Sequence, residues 1–475
     1  MNRFLRCSLA PLVVALWAVA YAPDGVARND RSYGPAVRQH PEAQSASHQS
    51  GPAPPHERRL TLEQAIDLAF EKNPSLQAAA ERYGEAQAKV EQAVAALYPR
   101  ATARVAYNYT DNPAEAFFYI VSQRRFNDNL DINHPGWVEN FRPEVIGSWS
   151  LFRGGQDYYR KKAAELGVEA AELERSALHN HLAAAVTSAY YALVIAPKEV
   201  EVARRSIAAV ESELTQARAR YHEGTELKSD VLSLEVRLAE ARESEVRAVN
   251  AIESAHSGLI TLLGGNDGNP VAVSEATVAP PDWVEADVHK ILAEARSQRP
   301  ELQGAERLVE LRRSELQAER GARLPRVNAY VAYGQNLRSP GFSTAKENTS
   351  LGVNAELDLF TGGEVTARIS AAERRLAVAE AQREQDRLQI EDEVRKSHTA
   401  LKEAIERTKV TQAALSAAEE ALRLVHEQYR GGTATVTRYL EAEADRADAQ
   451  TRAIAARYQA YVAEASLKKA SGFWR

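Results

Sequence analysis

The chain repeats itself, and the repeat limits what it can fold into. Asn73-Pro74-Ser75-Leu76-Gln77 matches Arg299-Pro300-Glu301-Leu302-Gln303, and Leu97-Tyr98-Pro99-Arg100 lines up with Arg323-Leu324-Pro325-Arg326, both at an offset of 226 residues. Farther on, Leu151-Phe152-Arg153-Gly154-Gly155 matches Leu359-Phe360-Thr361-Gly362-Gly363. Tyr221-x-x-Gly224-Thr225 likewise matches Tyr429-x-x-Gly432-Thr433, and both pairs have an offset of 208. The first half therefore carries 18 extra residues between Pro99 and Phe152, while the distance from double glycine to Gly-Thr is 69 in both halves. Equal spacing predicts two rods of matched length.

Those rods read as helices. From Val186 an apolar residue recurs every seventh position through Leu193, Val200, Ile207 and Leu214 to Tyr221. Three residues along runs a column of mostly small residues, Ala189, Ala196, Ala203, Val210 and Ala217. A seven-residue period gives a coiled-coil seam, and alanine in one column lets backbones approach closely. Pro197 predicts a local kink in the first rod. Each rod turns at Gly-Thr into a second amphipathic helix.

After Pro99 and Pro325 the period changes from seven to two. Val105, Tyr107 and Tyr109 alternate with Arg104, Ala106 and Asn108, and Val327, Ala329, Val331 and Tyr333 form one face of another strand. A third strand lies around Trp149 over residues 145–152, and a fourth is expected over Leu351–Leu359, with its odd residues apolar. Each is near the ~9–11 residues of a tilted membrane-crossing strand. Thirteen of the 33 aromatic residues fall between Tyr98 and Tyr159, so this stretch is chemically unlike the rest.

Residues 1–20 read as a signal peptide: Arg3 and Arg6 precede an apolar run too short to span a bilayer, and Ala18-Val19-Ala20 fits the cleavage rule. Residues 21–59 form a Pro-, Gln- and His-rich tail expected to be flexible, with His40, His48 and His56 eight residues apart. The first repeat is placed at 60–270, a linker at 271–284 and the second repeat at 285–475. Four strands cannot close a barrel in lipid, because their edges would stay unpaired. A dimer with eight strands or a trimer with twelve could.

The net charge of −6 argues against nucleic-acid binding. The lone cysteine, Cys7, precludes an internal disulfide and a cysteine-based zinc site. No phosphate loop, metal-spaced cluster or nucleophile–base set appears, so neither enzyme nor cofactor is expected. A periplasmic coiled-coil adaptor or structural interaction protein shares the helical periodicity and is the competing reading.

In order and duplication, Leu60-Thr61-Leu62-Glu63-Gln64-Ala65, Asn73-Pro74, Leu97-Tyr98-Pro99, both Leu-Phe-x-Gly-Gly turns and Tyr221-x-x-Gly224-Thr225 through Asp230-Val231-Leu232 resemble the TolC-type outer-membrane efflux family. The resemblance implies a mixed, mainly α fold. Four transmembrane strands per chain would contribute to a shared twelve-stranded barrel of a homotrimer in outer-membrane lipid. Long coiled-coil helices would form a periplasmic α-barrel. It implies the exit duct of a tripartite efflux or type I secretion system, with a periplasmic adaptor (membrane fusion) protein and an inner-membrane pump of the RND or ABC type. Gly224, Thr225, Glu226, Leu227, Gly432, Thr433, Ala434 and Thr435 would face the adaptor. Tyr429 and Asp230 match a family gate. Where the family can carry an arginine after the second Gly-Thr, Ala434 stands. At two inward acidic rings stand Arg438, with reversed sign, and Glu441, with its charge type kept.

Overall fold

A computed structural model describes residues 58–265, 271–274 and 287–474 of the chain. The expected signal peptide, the three spaced histidines and most of the expected linker lie outside them. The first half runs β1 (Arg58–Leu60), α1 (Leu62–Lys72), α2 (Pro74–Ala95), β2 (Arg100–Thr110), α3 (Pro113–Ser122), β3 (Val138–Arg153), α4 (Gln156–His222), α5 (Lys228–Leu262) and β4 (Val271–Val273). The second runs α6 (Val288–Gln298), α7 (Pro300–Arg320), β5 (Arg326–Gln335), β6 (Glu347–Glu356), α8 (Glu364–Arg430) and α9 (Val436–Ser471). The rods α4 and α8 have 67 residues each, roughly 100 Å at ~1.5 Å per residue. Residues 111–137, with α3, join β2 to β3, where 336–346 suffice between β5 and β6. Most of the extra length therefore sits in one loop.

Local chemistry sets the element ends. Thr61 and Gln64 form a reciprocal capping box on α1. Asn73 caps α2 through Ser75 N–H at 2.8 Å, and its Nδ2 donates to Leu262 O at 2.8 Å, tying the end of α5 to this corner. Pro197 lies inside α4 and does not end it. Seam residues Val186, Leu193, Val200, Val210, Leu214 and Ala217 are buried, as are Val394, Leu401 and Ala404 of α8. α4 packs on both α5 and α9, and α9 on α8.

β1 includes Arg58 and Arg59, assigned above to the tail, and pairs in parallel with β4 in the expected linker. The Tyr190 hydroxyl donates to Ser274 O at 2.6 Å and lies 3.2 Å from Leu60 O, so the rod itself anchors this small sheet.

The second sheet has the order β2-β3-β5-β6, all antiparallel. Its last strand covers Glu347–Glu356, so Leu357 and Leu359 of the expected strand lie beyond it. Pairing with β5 stops at Arg326↔Glu356, because Pro325 just before β5 has no N–H to continue the ladder. Register places Tyr107, Phe141, Val145, Tyr333, Val331, Leu351 and Val353 on one face. On that face the charged residues are Glu139 and Glu347, both at the loop end. Arg104, Arg142, Glu144, Arg326 and Glu356 lie on the other. A lipid-spanning sheet must turn the second face to water. Aromatic residues mark both ends of the apolar face: Trp137 stacks on Tyr109 at 4.7 Å, and Trp149 Nε1 donates to Leu97 O at 2.9 Å.

Candidate functional site at the helix tips

Both rods end alike. Gly224 and Gly432 adopt φ of 78° and 76°, a left-handed turn that a Cβ would strain. Thr225 N–H donates to Arg220 O at 2.9 Å and Thr433 N–H to Gln428 O at 2.9 Å. Each threonine hydroxyl donates to the same carbonyl, at 3.1 and 3.0 Å. Gly224 and Gly432 N–H donate to Tyr221 O and Tyr429 O at 3.0 Å, so each Gly-Thr pair satisfies two orphan carbonyls of the helix end with one residue in the left-handed region. Leu227 starts α5 with no side-chain cap, whereas Thr435 caps α9 by accepting from Arg438 N–H at 3.3 Å. Leu227 is two-thirds exposed, and Thr225 and Thr433 are exposed.

Just behind the tips, an ionic cluster joins the two hairpins. Tyr429 of α8 is buried, stacks on Tyr439 of α9 at 5.5 Å, and its hydroxyl accepts from Arg220 Nη2 of α4 at 2.9 Å. The same guanidinium lies 5.4 Å from the Tyr429 ring centroid, and its Nε is 2.8 Å from Glu226 Oε2. Burial raises the Tyr429 pKa, and the negative charges of Glu226, Glu213 and Asp230 add to this against Arg220. Tyr439 is raised for the same first reason, with Glu443 and Glu213 next. The phenols therefore stay protonated near neutrality.

Two buried carboxylates complete the cluster. Glu213 Oε1 lies 3.0 Å from His426 Nε2, while its Oε2 has no hydrogen-bond partner and lies 3.9 Å from Arg220. Glu443 is fully buried and accepts from Arg446 Nη2 at 2.7 Å and Nε at 3.3 Å. Sequence reasoning missed Glu213, Arg220, His426, Glu443 and Arg446. The last two carried a signal: with Val436 and Tyr439 they follow the three-and-four spacing of the α9 seam, where polar residues are out of place.

Of the expected gate residues, Asp230 adds the smallest share to the raised Tyr429 pKa, and its carboxylate accepts from Ser229 Oγ at 3.4 Å rather than from the phenol. Arg438 and Glu441 lie elsewhere, exposed, in an i,i+3 pair at 3.3 Å. Among the described residues Arg438 makes no ion pair with Asp230. The base in contact with Tyr429 is Arg220.

This arrangement of two hairpins, a four-stranded sheet and paired tips has known counterparts. Protein CyaE of Bordetella pertussis is 26% identical over 456 residues, covering 93% of this chain and 90% of that protein. Alkaline protease secretion protein AprF of Pseudomonas aeruginosa is 22% identical, covering 71% and 67%. Among solved structures, a membrane protein from Pseudomonas aeruginosa superposes with a TM-score of 0.77 at 21% identity, over 90% of this chain and 99% of that one. The outer membrane protein VceC of Vibrio cholerae gives 0.74 at 20%, over 86% and 96%. The family profile described as outer membrane efflux protein matches residues 65–265 and 291–473, and with both repeats covered the chain belongs to that family.

Proposed function

We propose that this chain is the outer-membrane exit duct of a tripartite efflux or type I secretion system, working as a homotrimer. The observation that carries the reading is the open four-stranded sheet, with charges on one face and an apolar face ended by aromatics. Its edges, β2 and β6, need partners, and three copies supply them in a twelve-stranded barrel. The helical rods then extend into the periplasm from the barrel. Among relatives, one is named for secretion of an alkaline protease and another for pyoverdine export, so export is what the names share.

The exposed tips, Gly224 to Leu227 and Gly432 to Thr435, are the proposed adaptor contacts. An inner-membrane pump would deliver cargo through that adaptor. Tyr429 with Asp230 forms the proposed gate, and Arg220 holds Tyr429 against the first hairpin. Arg438 and Glu441, paired on an exposed surface, are free to meet a neighbouring hairpin of the trimer.

Native mass measurement in detergent, followed by planar-bilayer recording, tests this. A trimer with single-channel conductance is expected. A stable folded monomer that leaves the outer membrane in a salt wash would instead favour a peripheral adaptor.

A further inference from the structure

The water-facing side of the barrel sheet carries an unbalanced charge cluster. Register sets Arg104 opposite Glu144, with Arg142 two residues along β3 on the same face. Glu144 accepts from Arg104 Nε and pairs with Arg142 Nη2 at 2.8 Å. The carboxylate side chain is 2% exposed, while Arg104 and Arg142 are 59% and 47% exposed. Gly334 lies across the register from Glu144, and a Cβ there would sit 2.7 Å from the Glu144 Cβ. The missing side chain is what makes room for the acid to lie flat beneath its two bases.

Near the rod end of the sheet two further bases have acids of their own. Arg153 is 3.6 Å from Asp157, and Arg326 is 2.8 Å from Asp358 and 3.7 Å from Glu356. At the Arg104 level two guanidinium groups share one carboxylate, and the acid is the buried member.

Helix α3 packs on the same face as this cluster. Asn108 Nδ2 donates to Tyr119 Oη at 2.6 Å, and Gln123 Nε2 donates to Glu139 O at 2.7 Å and Asn140 Oδ1 at 3.1 Å. Asn108 and Asn140 pair in register on the same face as Arg104 and Glu144. The helix therefore lies against the charged face, on the loop side of the arginines. Low-dielectric walls close to a charge of one sign focus its field.

We infer that Arg104 and Arg142, held by buried Glu144, form an anion-favouring belt in the barrel lumen and bias the duct toward negatively charged solutes. The inference rests on the trimeric channel reading above. Threefold repetition gives six arginines against three glutamates, a surplus of three positive charges around one passage. Rings of arginine are the arrangement that selects anions in other pores.

Reversal potentials of reconstituted trimers under a potassium chloride gradient test it with two opposed variants. Arg142→Gln leaves Glu144 paired with Arg104, so the fold keeps its buried acid satisfied while the surplus vanishes. The chloride-to-potassium permeability ratio should fall by roughly twofold or more at low salt, and less at high salt. Glu144→Gln enlarges the surplus and should raise the ratio. Ratios unchanged in both variants, or moved in the same direction, overturn the belt. Folded trimers that conduct no ions at all overturn the channel reading instead.

Discussion

Arg220 Nη2 and Tyr429 Oη, 209 residues apart in sequence, meet at 2.9 Å and link the first hairpin to the second just behind the tips. The bond is charge-assisted and mostly shielded from water, and the same guanidinium also faces Glu226 and Glu213. In the proposed gate, separating the hairpins would break it.

Tyr429→Phe keeps the stacking on Tyr439 and removes only this bond, at a cost of about 1–2 kcal/mol to the joined hairpins. Single-channel recordings should show a larger open fraction. Arg438→Ala loses only an exposed pair worth ~0.2–1 kcal/mol and should change gating much less. Equal effects of the two variants would remove Arg220 and Tyr429 from the gate.

Arg446→Ala should be far more damaging to stability. It strips the hydrogen-bonding base from Glu443, which is fully buried in α9. An uncompensated buried carboxylate costs about 3–5 kcal/mol. Thermal unfolding of the trimer would register the loss. Adding Glu443→Gln should restore most of it, because the buried charge is then gone.

How far the sequence reveals this molecule depends on the range of the interactions. Matched 67-residue rods, the capping box at Thr61 and the alternating faces follow from short-range periodicity, and each is visible in order along the chain. The end of β6 departs from the alternation because it is fixed by β5 across the sheet, while apolar Leu357 and Leu359 continue the pattern beyond the ladder. Helix α3 has no counterpart in the second repeat to mark it in the sequence. Buried Gln123 ties it to Glu139, Asn140 and Leu337, all outside the helix. At the tips, the duplicated motif points to Tyr429 but not to Arg220, whose counterpart in the second repeat is Gln428. Only the folded pairing of unlike hairpins brings that base to the phenol.

Acid should loosen the junction where buried Arg299 lies 2.9 Å from both Glu301 and Glu393 and donates to Ala470 O at 3.2 Å. Glu301 loses solvation by burial, which favours its neutral form. His181, Arg299 and a backbone hydrogen bond outweigh that and hold its pKa at about 2. Glu393 shifts the same way, with burial opposed by Lys469 and Arg299. For a carboxyl lowered on folding, the stabilisation is full above the unfolded value and is lost as pH falls through the folded one. Glu301 should therefore contribute roughly 1–3 kcal/mol at neutrality, declining below about pH 4 and gone near pH 2. Hydrogen exchange in α7 compared at pH 7 and pH 3 would follow it. Glu301→Gln should flatten that difference.

The membrane face can be tested with adjacent residues of one strand. Leu351 lies near the middle of β6, is 80% exposed, and sits beside Val331 on the apolar face. Ser350 pairs with Ala332 on the charged face. An arginine at Leu351 must put a guanidinium into hydrocarbon near the midplane, at a cost of about 2–4 kcal/mol. At Ser350 it enters a water-filled lumen that already holds arginines. Leu351→Arg should therefore lower the yield of heat-resistant trimer in outer membranes, whereas Ser350→Arg should assemble like the parent. Each substitution adds the same side chain to the same strand, so differences in propensity or expression largely cancel. Equal assembly of the two variants would mean that the face bearing Leu351 meets water, and the barrel would then have to be abandoned.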